Sequence, residues 1–267
     1  MIIVGELING SRKPVAEALA SRDAGAIAEI ARRQVEAGAD LLDVNAGTGP
    51  DREIEDLLWL IDAITGQVDI PLCIDSPNLE AIKAGLERAG RRAAMINSTT
   101  AEENRLTALL PLVEDHGCSI IALCMGDEGV PGDARGRYDM AQLLVETLTA
   151  GNIPPEKIYL DPIVCPISVD GRAGRTTLET LRMIKEGLPR AKTICGLSNI
   201  SFGLPERQLL NRGFLSIMRA AGLDAAILDP TDPKLTAGLL AAEALLGHDE
   251  NCLTYIGASR EGKLTQA

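Results

Sequence analysis

The sequence predicts a (β/α)8 barrel. Apolar, β-branched runs alternate with amphipathic stretches almost without interruption, eight such pairs fit into 267 residues, and no composition shift or Pro/Gly/Ser linker marks a second domain. Strands separated by helices imply a parallel sheet. Eight repeats in a chain of this length imply that the sheet closes, because barrels of about 250 residues commonly form one domain. A doubly wound open sheet is the alternative. Residues 1–267 are therefore read as one domain.

Strands are expected near 1–5, 40–44, 71–75, 93–96, 118–124, 157–160, 192–197 and 224–228, where short apolar runs carry Val, Ile and Leu. Helical periodicity lies between them near 24–37, 51–66, 78–88, 101–115, 137–150, 175–187, 206–221 and 232–247. Thr100 before Ala101-Glu102-Glu103 reads as a helix start, and Gly38, Gly117 and Gly222 read as stops. His116, just before Gly117, suits a helix C-terminus, where a cation complements the dipole. The apolar stretch Leu235–Leu246 reads as a barrel helix, with a subunit contact as the alternative. Two connections, 125–137 and 161–174, exceed the usual length of about 2–6 residues. Both follow strands, so both fall on the carboxyl face, where they are expected to form a mobile rim or a partner contact.

Composition bounds the function. Hydrophobic residues make up 46% of the chain, enough for a core, but aromatics only 2%, so the core is aliphatic and stacking platforms for single-stranded nucleic acid are missing. A net charge of −12 argues against partners held mainly through phosphates. No run approaches the roughly 18 apolar residues of a membrane span, and the N-terminus enters a strand without a basic leader, so no membrane is expected and the location is expected to be cytoplasmic. The six cysteines form no Cys-x-x-Cys pair and read as reduced core thiols, with Cys124 or Cys165 the candidates to line a barrel mouth. With two histidines, neither at a strand end, no tightly bound metal and no Ser-His-Asp triad are expected. Two glycine motifs also fail. Gly257 to Leu264 resembles a phosphate loop but has Leu264 where a hydroxyl is needed, and Gly47-Thr48-Gly49 has Arg52 in place of the third glycine of a dinucleotide fingerprint.

The informative feature is what ends the strands: Asp43-Val44-Asn45, Asp75-Ser76, Asn97-Ser98, Asp161-Pro162 and Ser198-Asn199. Carboxylates and carboxamides gathered at the carboxyl end of a parallel barrel suit a flat, nitrogen-rich ring. A 2-amino-4-oxo pterin presents adjacent N–H donors that one carboxylate accepts in two-pronged fashion, and its mixed edge matches a carboxamide. A single such residue reads equally well as a helix cap, a role open to Ser76 and Ser98. Asp75, Asn97 and Asp161 together point to a ligand.

Gly5-Glu6-Leu7-Ile8-Asn9, Asp43-Val44-Asn45, Asp75-Ser76, Ile96-Asn97-Ser98, Asp161-Pro162, Gly196-Leu197-Ser198-Asn199 and Leu210-Asn211-Arg212, in this order, resemble the methyltetrahydrofolate:corrinoid protein methyltransferases. That group lies in the pterin-binding family, with dihydropteroate synthase and the folate module of cobalamin-dependent methionine synthase. The resemblance implies methyl transfer between N5 of tetrahydrofolate, as substrate, and a cobalamin carried by a separate corrinoid protein. It implies that Asp75, Asn97 and Asp161 hold the pterin, that Asn199 is the catalytic carboxamide approaching N5, and that Arg207 contacts the benzoyl-glutamate tail. Glu6, Asn9, Asp43, Asn45 and Ser198 would shape or orient the pocket. A homodimer is the family expectation.

One departure is Phe202, where some members carry a folate-contacting glutamine; it is able to stack on the benzoate ring instead. The stretch Ser201 to Arg207 is similar to variants paired with methoxyarene or betaine donors, which leans towards a demethylation system that returns the methyl group to tetrahydrofolate. The Asp-x-His-x-x-Gly pattern of base-off cobalamin domains is absent from the sequence. Two rivals stand beside this reading. A dihydropteroate synthase would need a Thr-Pro-Asp-Ser-Phe loop after its first Asn, whereas Asn9 leads to Gly10-Ser11-Arg12-Lys13-Pro14. A non-catalytic folate-binding protein would have little use for Asn199.

Overall fold

The computed structural model describes residues 1–264, so the last three residues of the expected domain lie outside the described residues. Eight parallel strands form a closed barrel in sequential order, with the first pairing both the second and the eighth. They are β1 (Ile2–Asn9), β2 (Leu41–Asn45), β3 (Leu72–Asp75), β4 (Ala93–Thr99), β5 (Ser119–Leu123), β6 (Ile158–Asp161), β7 (Lys192–Gly196) and β8 (Ala225–Leu228). Closure excludes the open-sheet alternative.

The helices are α1 (Lys13–Ser21), α2 (Ala24–Glu36), α3 (Pro50–Thr65), α4 (Leu79–Ala89), α5 (Glu103–His116), α6 (Ala134–Ala150), α7 (Ala173–Gly187), α8 (Arg207–Ala220), α9 (Pro233–Leu245) and α10 (Leu253–Arg260). The barrel interior is filled by Val4, Cys73, Met95, Ile121, Tyr159 and Ile194, all buried. Outward-facing Leu42, Ile74, Ile96 and Ile120 meet the helices in a second aliphatic layer. Period-two alternation in the strands feeds both layers at once. α9 buries Leu235, Ala237, Leu239 and Ala242, which makes it a barrel helix, although Leu245 is exposed. No helix among the described residues is long and apolar enough to cross a membrane.

Several expectations need correction. α1 and α10 are helices the sequence reading left out. α1 had its signals, Pro14 in the first turn and Val15, Ala18 and Leu19 buried at helical spacing, but it is only nine residues long. α10 carries Gly257, so the phosphate-loop resemblance lies on a helix. β1 and β4 run further than their apolar cores, to Asn9 and Thr99. Polar side chains interrupted the hydrophobic pattern, yet their backbones still pair: Asn9 with Asn45, and Asn97 with Ile121. α4 is capped by Asn78, whose side chain accepts from the Glu80 amide at 3.0 Å, so Ser76 is not the cap. α5 starts at Glu103 with no side-chain cap, and so uses neither Ser98 nor Thr100 as its N-cap. Cys73, Cys118, Cys124 and Cys195 are buried, Cys165 is half-buried and Cys252 is exposed, so Cys252 is not a core thiol. His116 does end α5, with Gly117 in the left-handed conformation after it.

The β1–α1 and β2–α3 connections touch through glycine. The Gly10 amide donates to the Asn45 carbonyl at 2.9 Å, and a Cβ on Gly10 would lie 1.7 Å from the Ala46 carbonyl oxygen. That neighbour is backbone, with no rotamer to yield. Gly10→Ala is therefore expected to destabilise the fold by about 1–3 kcal/mol, read from urea unfolding; an unchanged midpoint would contradict this packing.

Candidate functional site

Parallel register builds the centre of the site. Asn9 is level with Asn45, Asn45 with Asp75, and Asp75 with Asn97, so four adjacent strands bring an amide or a carboxylate to one height at the carboxyl end. Asn45 Nδ2 donates to Asp75 Oδ2 at 2.7 Å, and Asn97 Nδ2 donates to Asp43 Oδ1 at 3.1 Å. Asn45 Oδ1 in turn accepts from the Gly47 amide at 2.7 Å. Each carboxamide thus gives its N–H to an acid. Asn9 instead accepts from the Ser11 amide and hydroxyl, which shapes the β1–α1 turn. The Asn97–Ser98 peptide is cis.

Burial sets the charge state. Desolvation, and then the neighbouring Asp75 carboxylate, push Asp43 well above the ordinary carboxylate range, against hydrogen bonds from Asn97 and Cys73. Asp75 is also raised by burial, opposed by its bonds with Asn45 and Asp43 and by the Arg105 charge. Burial and mutual repulsion thus favour the protonated form at this pair, most strongly at Asp43. The Cys73 thiol is pushed up by the same burial and by both acids, so it stays neutral. Asp161 ends β6 almost fully buried and is pushed up to about 7 by desolvation, opposed by backbone N–H groups of Ile163 and Gly196 and by the charge of Arg137.

Two arginines outside the expected set of site residues tie together the backbone segments next to these acids. Arg105 of α5 donates to the Ser98 carbonyl at 2.9 and 2.6 Å, to the Pro77 carbonyl at 2.6 Å and to the Ser76 carbonyl at 3.2 Å. It ties the segment after Asp75 to the segment after Asn97. Arg137 of α6, buried, donates to the carbonyls of Pro131, Pro162 and Ile163 at 2.7–3.0 Å. Ile163 sits at φ 61°, an unfavourable conformation for a β-branched residue, and its amide donates to Asp161 Oδ1 at 2.7 Å. Both arginines lie in the first turn of amphipathic helices, where a charge ordinarily reads as a solvated face. Ser76 donates to Glu53 at 2.6 Å, a buried contact that also escaped the pattern.

The second part of the site is the turn after β7. Residues Leu197–Ser201 form a single 3-10 turn. Ser198 Oγ donates to Glu6 Oε2 at 3.0 Å, and Glu6 also pairs with Arg12. Burial raises the Glu6 carboxyl, with Arg12 and Ser198 opposing. Arg207 donates to the Ser198 carbonyl at 2.8 Å and to Ser201 Oγ at 3.1 Å, with its guanidinium carbon 5.8 Å from the centre of the Phe202 ring. Phe202 itself is 62% exposed. Asn199 is exposed, and its amide nitrogen folds back to 3.0 Å from the position a Cβ on Gly196 would take. Among the described residues its side chain makes no hydrogen bond, unlike Asn9, Asn45 and Asn97. Gly196 joins the two parts of the site, with its N–H on Asp161 and its bare α-carbon beneath Asn199.

A cavity of about 240 Å³ opens beside this turn, lined by Glu6, Arg12, Ser198, Arg207, Asn211 and Asp229 among others. A larger concavity at Asp69, Arg91 and Arg92 lies before β3 and β4, at the amino end of the barrel, and gathers no comparable set of acids and amides. The chemistry therefore assigns the site to the carboxyl face. Among the described residues no group of three or more His, Cys, Asp or Glu side chains is arranged to hold a metal ion.

A family model described as "Pterin binding enzyme" matches residues 5–229. The chain is 36% identical over 266 residues to the methylcorrinoid:tetrahydrofolate methyltransferase of Eubacterium limosum, covering 99% of this chain and 98% of that protein. It is 32% identical over 241 residues to the methionine synthase of Mycobacterium tuberculosis, covering 85% of this chain but 20% of that protein. Among solved structures, the dihydropteroate synthase of Coxiella burnetii in complex with pteroic acid superposes with a TM-score of 0.67 at 15% identity, covering 91% of this chain and 94% of that one. The Yersinia pestis enzyme with a pterine–sulfa conjugate gives 0.66 at 17% identity, covering 91% and 93%. At such identity these two structures speak for the fold alone.

The raised Asp161 carboxyl makes stability depend on pH. Unfolded, this side chain ionises near pH 4; folded, it does so at about 7. Between those values the folded protein keeps a proton that the unfolded chain has released. The contribution is therefore full below about pH 4 and is lost as pH rises to about 7. Asp161→Asn should remove this dependence, so its stability relative to the parent should rise by up to about 1.4 kcal/mol per pH unit across that window. Parallel stability profiles from urea unfolding would refute the assignment.

Proposed function

The chain belongs to the pterin binding enzymes, and from that premise we propose that it transfers a methyl group between N5 of tetrahydrofolate and the cobalt of a corrinoid carried by a separate protein. The observation that carries the reading is an exposed Asn199 carboxamide, free of hydrogen bonds among the described residues, beside a converging set of buried and half-buried acids and amides, in a chain 36% identical over nearly its whole length to an enzyme named for that transfer. We assign Asp75, Asn97 and Asp161 to the pterin ring: the carboxylates accept its N–H groups, and the carboxamide meets its mixed edge. Asp43, Asn45 and Asn9 orient that set. Glu6 and Ser198 shape the neighbouring cavity, and Phe202 offers a face to the benzoate ring.

From folate to cobalt, the methyl group leaves N5 for the electron pair of cob(I)alamin, and N5 takes up a proton; in reverse, the N5 lone pair attacks the methyl group on cobalt and the proton departs. An amide does not titrate in the useful range, so Asn199 is no general acid. It aims an N–H at the charge changing on N5, an oriented dipole that supplies a few kcal/mol. We favour the direction that regenerates methyltetrahydrofolate, within the demethylation of an external donor. The Ser201-Phe202-Gly203-Leu204-Pro205 variant supports it, as does a relative whose name sets methylcorrinoid before tetrahydrofolate. A cytoplasmic homodimer is part of the same proposal; exposed Leu245, Leu253 and Ile256 on α9 and α10 supply apolar surface for a second copy.

Methyltetrahydrofolate mixed with photoreduced free cobalamin should give the absorption spectrum of methylcobalamin when the protein is added; an unchanged spectrum would sink the proposal. In that assay Asn199→Ala is expected to lower kcat by about 10- to 1000-fold with little change in folate affinity. Asp161 must be ionised to accept two N–H groups. Folate binding below pH 7 should therefore release a proton, seen in calorimetry as heats that vary with the ionisation enthalpy of the buffer. Asp161→Asn should abolish that variation.

A further inference from the structure

We propose that Arg207 is a positioning residue for Asn199, holding the turn that presents the carboxamide, rather than a ligand of the folate tail. This inference rests on the methyl-transfer reading above. Two of the three guanidinium nitrogens of Arg207 are engaged within the protein: Nη2 on the Ser198 carbonyl at 2.8 Å and Nε on Ser201 Oγ at 3.1 Å. The Ser201 hydroxyl, fully buried, donates back to the same Ser198 carbonyl at 3.2 Å. The peptide group leading into Asn199 is therefore gripped by a planar fork that spans the turn.

The rest of the turn is fixed around this grip. Ser198 Oγ is held by Glu6, and the Phe202 amide donates to the Asn199 carbonyl at 3.1 Å. From the β6–α7 connection, the Ile167 amide donates to the Ile200 carbonyl at 3.0 Å, and Ser168 Oγ donates to the Phe202 carbonyl at 2.6 Å. Asn199 alone in this turn has a side chain that is exposed and free of hydrogen bonds among the described residues, and its direction is inherited from the backbone. Arg207 opens α8 and Ser198 lies in the turn that follows β7, so the clamp also couples the helix start to that turn.

The two roles separate with two substrates, 5-methyltetrahydrofolate and a 5-methyltetrahydropterin that lacks the benzoyl-glutamate tail, each assayed against photoreduced cobalamin. For Arg207→Met the clamp predicts a loss in kcat of about 10- to 100-fold that is the same for both substrates, with KM for each little changed. Arg207→Lys should recover part of kcat, since an ammonium reaches the Ser198 carbonyl without spanning to Ser201. A loss confined to KM of the tailed substrate would overturn the proposal and return Arg207 to the tail; so would full activity of Arg207→Met with both. Hydrogen exchange gives a readout independent of turnover. The Phe202 amide should exchange faster in Arg207→Met and the β3 and β4 amides should not, even if the parent protein transferred no methyl group, which would count against the function and leave the clamp measurable. Unchanged exchange at Phe202 would overturn the clamp.

Discussion

A carboxyl group removed from water loses several kcal/mol of hydration unless hydrogen bonds or a counter-charge replace it. At the mouth of this barrel Asp43 and Asp75 lie side by side, and the replacement comes from carboxamides: Asn97 on Asp43 and Asn45 on Asp75. The pairing is possible because parallel register puts Asn45, Asp75 and Asn97 at one height on three neighbouring strands, with Asp43 one pleat lower on β2. A shift of one residue in any of these strands would turn its polar group towards the helices. The acid–amide set therefore fixes register as well as chemistry. The upward shifts of the Cys73 thiol and the Asp43 carboxyl beneath it follow from the same burial.

The outer supports serve that constraint. Arg105 and Arg137 donate almost entirely to main-chain carbonyls at the end of β4 and in the connections that follow β3, β5 and β6. Guanidinium groups suit this work because several donors in one plane satisfy several loops at once. Their charges also act from a distance, moderating the pKa of Asp75 and Asp161 without pairing with either. The acids thus remain open to a ligand's N–H groups. A salt bridge in the same place would have competed with that ligand.

Beside this rigid half stands a turn of different construction. Residues Leu197–Ser201 are held by side chains drawn from β1, from the β6–α7 connection and from the start of α8. Gly196 links the halves through its amide to Asp161 and through the space its missing side chain leaves for Asn199, and the β6–α7 connection links them again through the Ile167 amide on the Ile200 carbonyl. The acid–amide set and the turn that carries Asn199 therefore rest on different side-chain contacts.

The strand–helix alternation, the aliphatic core and the polar residues at strand ends were all legible in the chain, because each depends on local periodicity and on residues close in sequence. Asp75, Asn97, Asp161 and Asn199 stood out for that reason. Glu6 and Asn9 were legible only as parts of a motif, because they lie beyond the apolar run that marked β1. The upward shift of the buried acids, which amide serves which carboxylate, and that Arg105, Arg137 and Arg207 clamp loops were decided by tertiary structure alone. Those outcomes depend on burial and on contacts between residues from 6 to nearly 200 positions apart, such as Arg137 with Pro131 and Glu6 with Ser198. A one-dimensional pattern carries the period of an element. The dielectric around a carboxyl group and the partner of a guanidinium exist only once the barrel has closed.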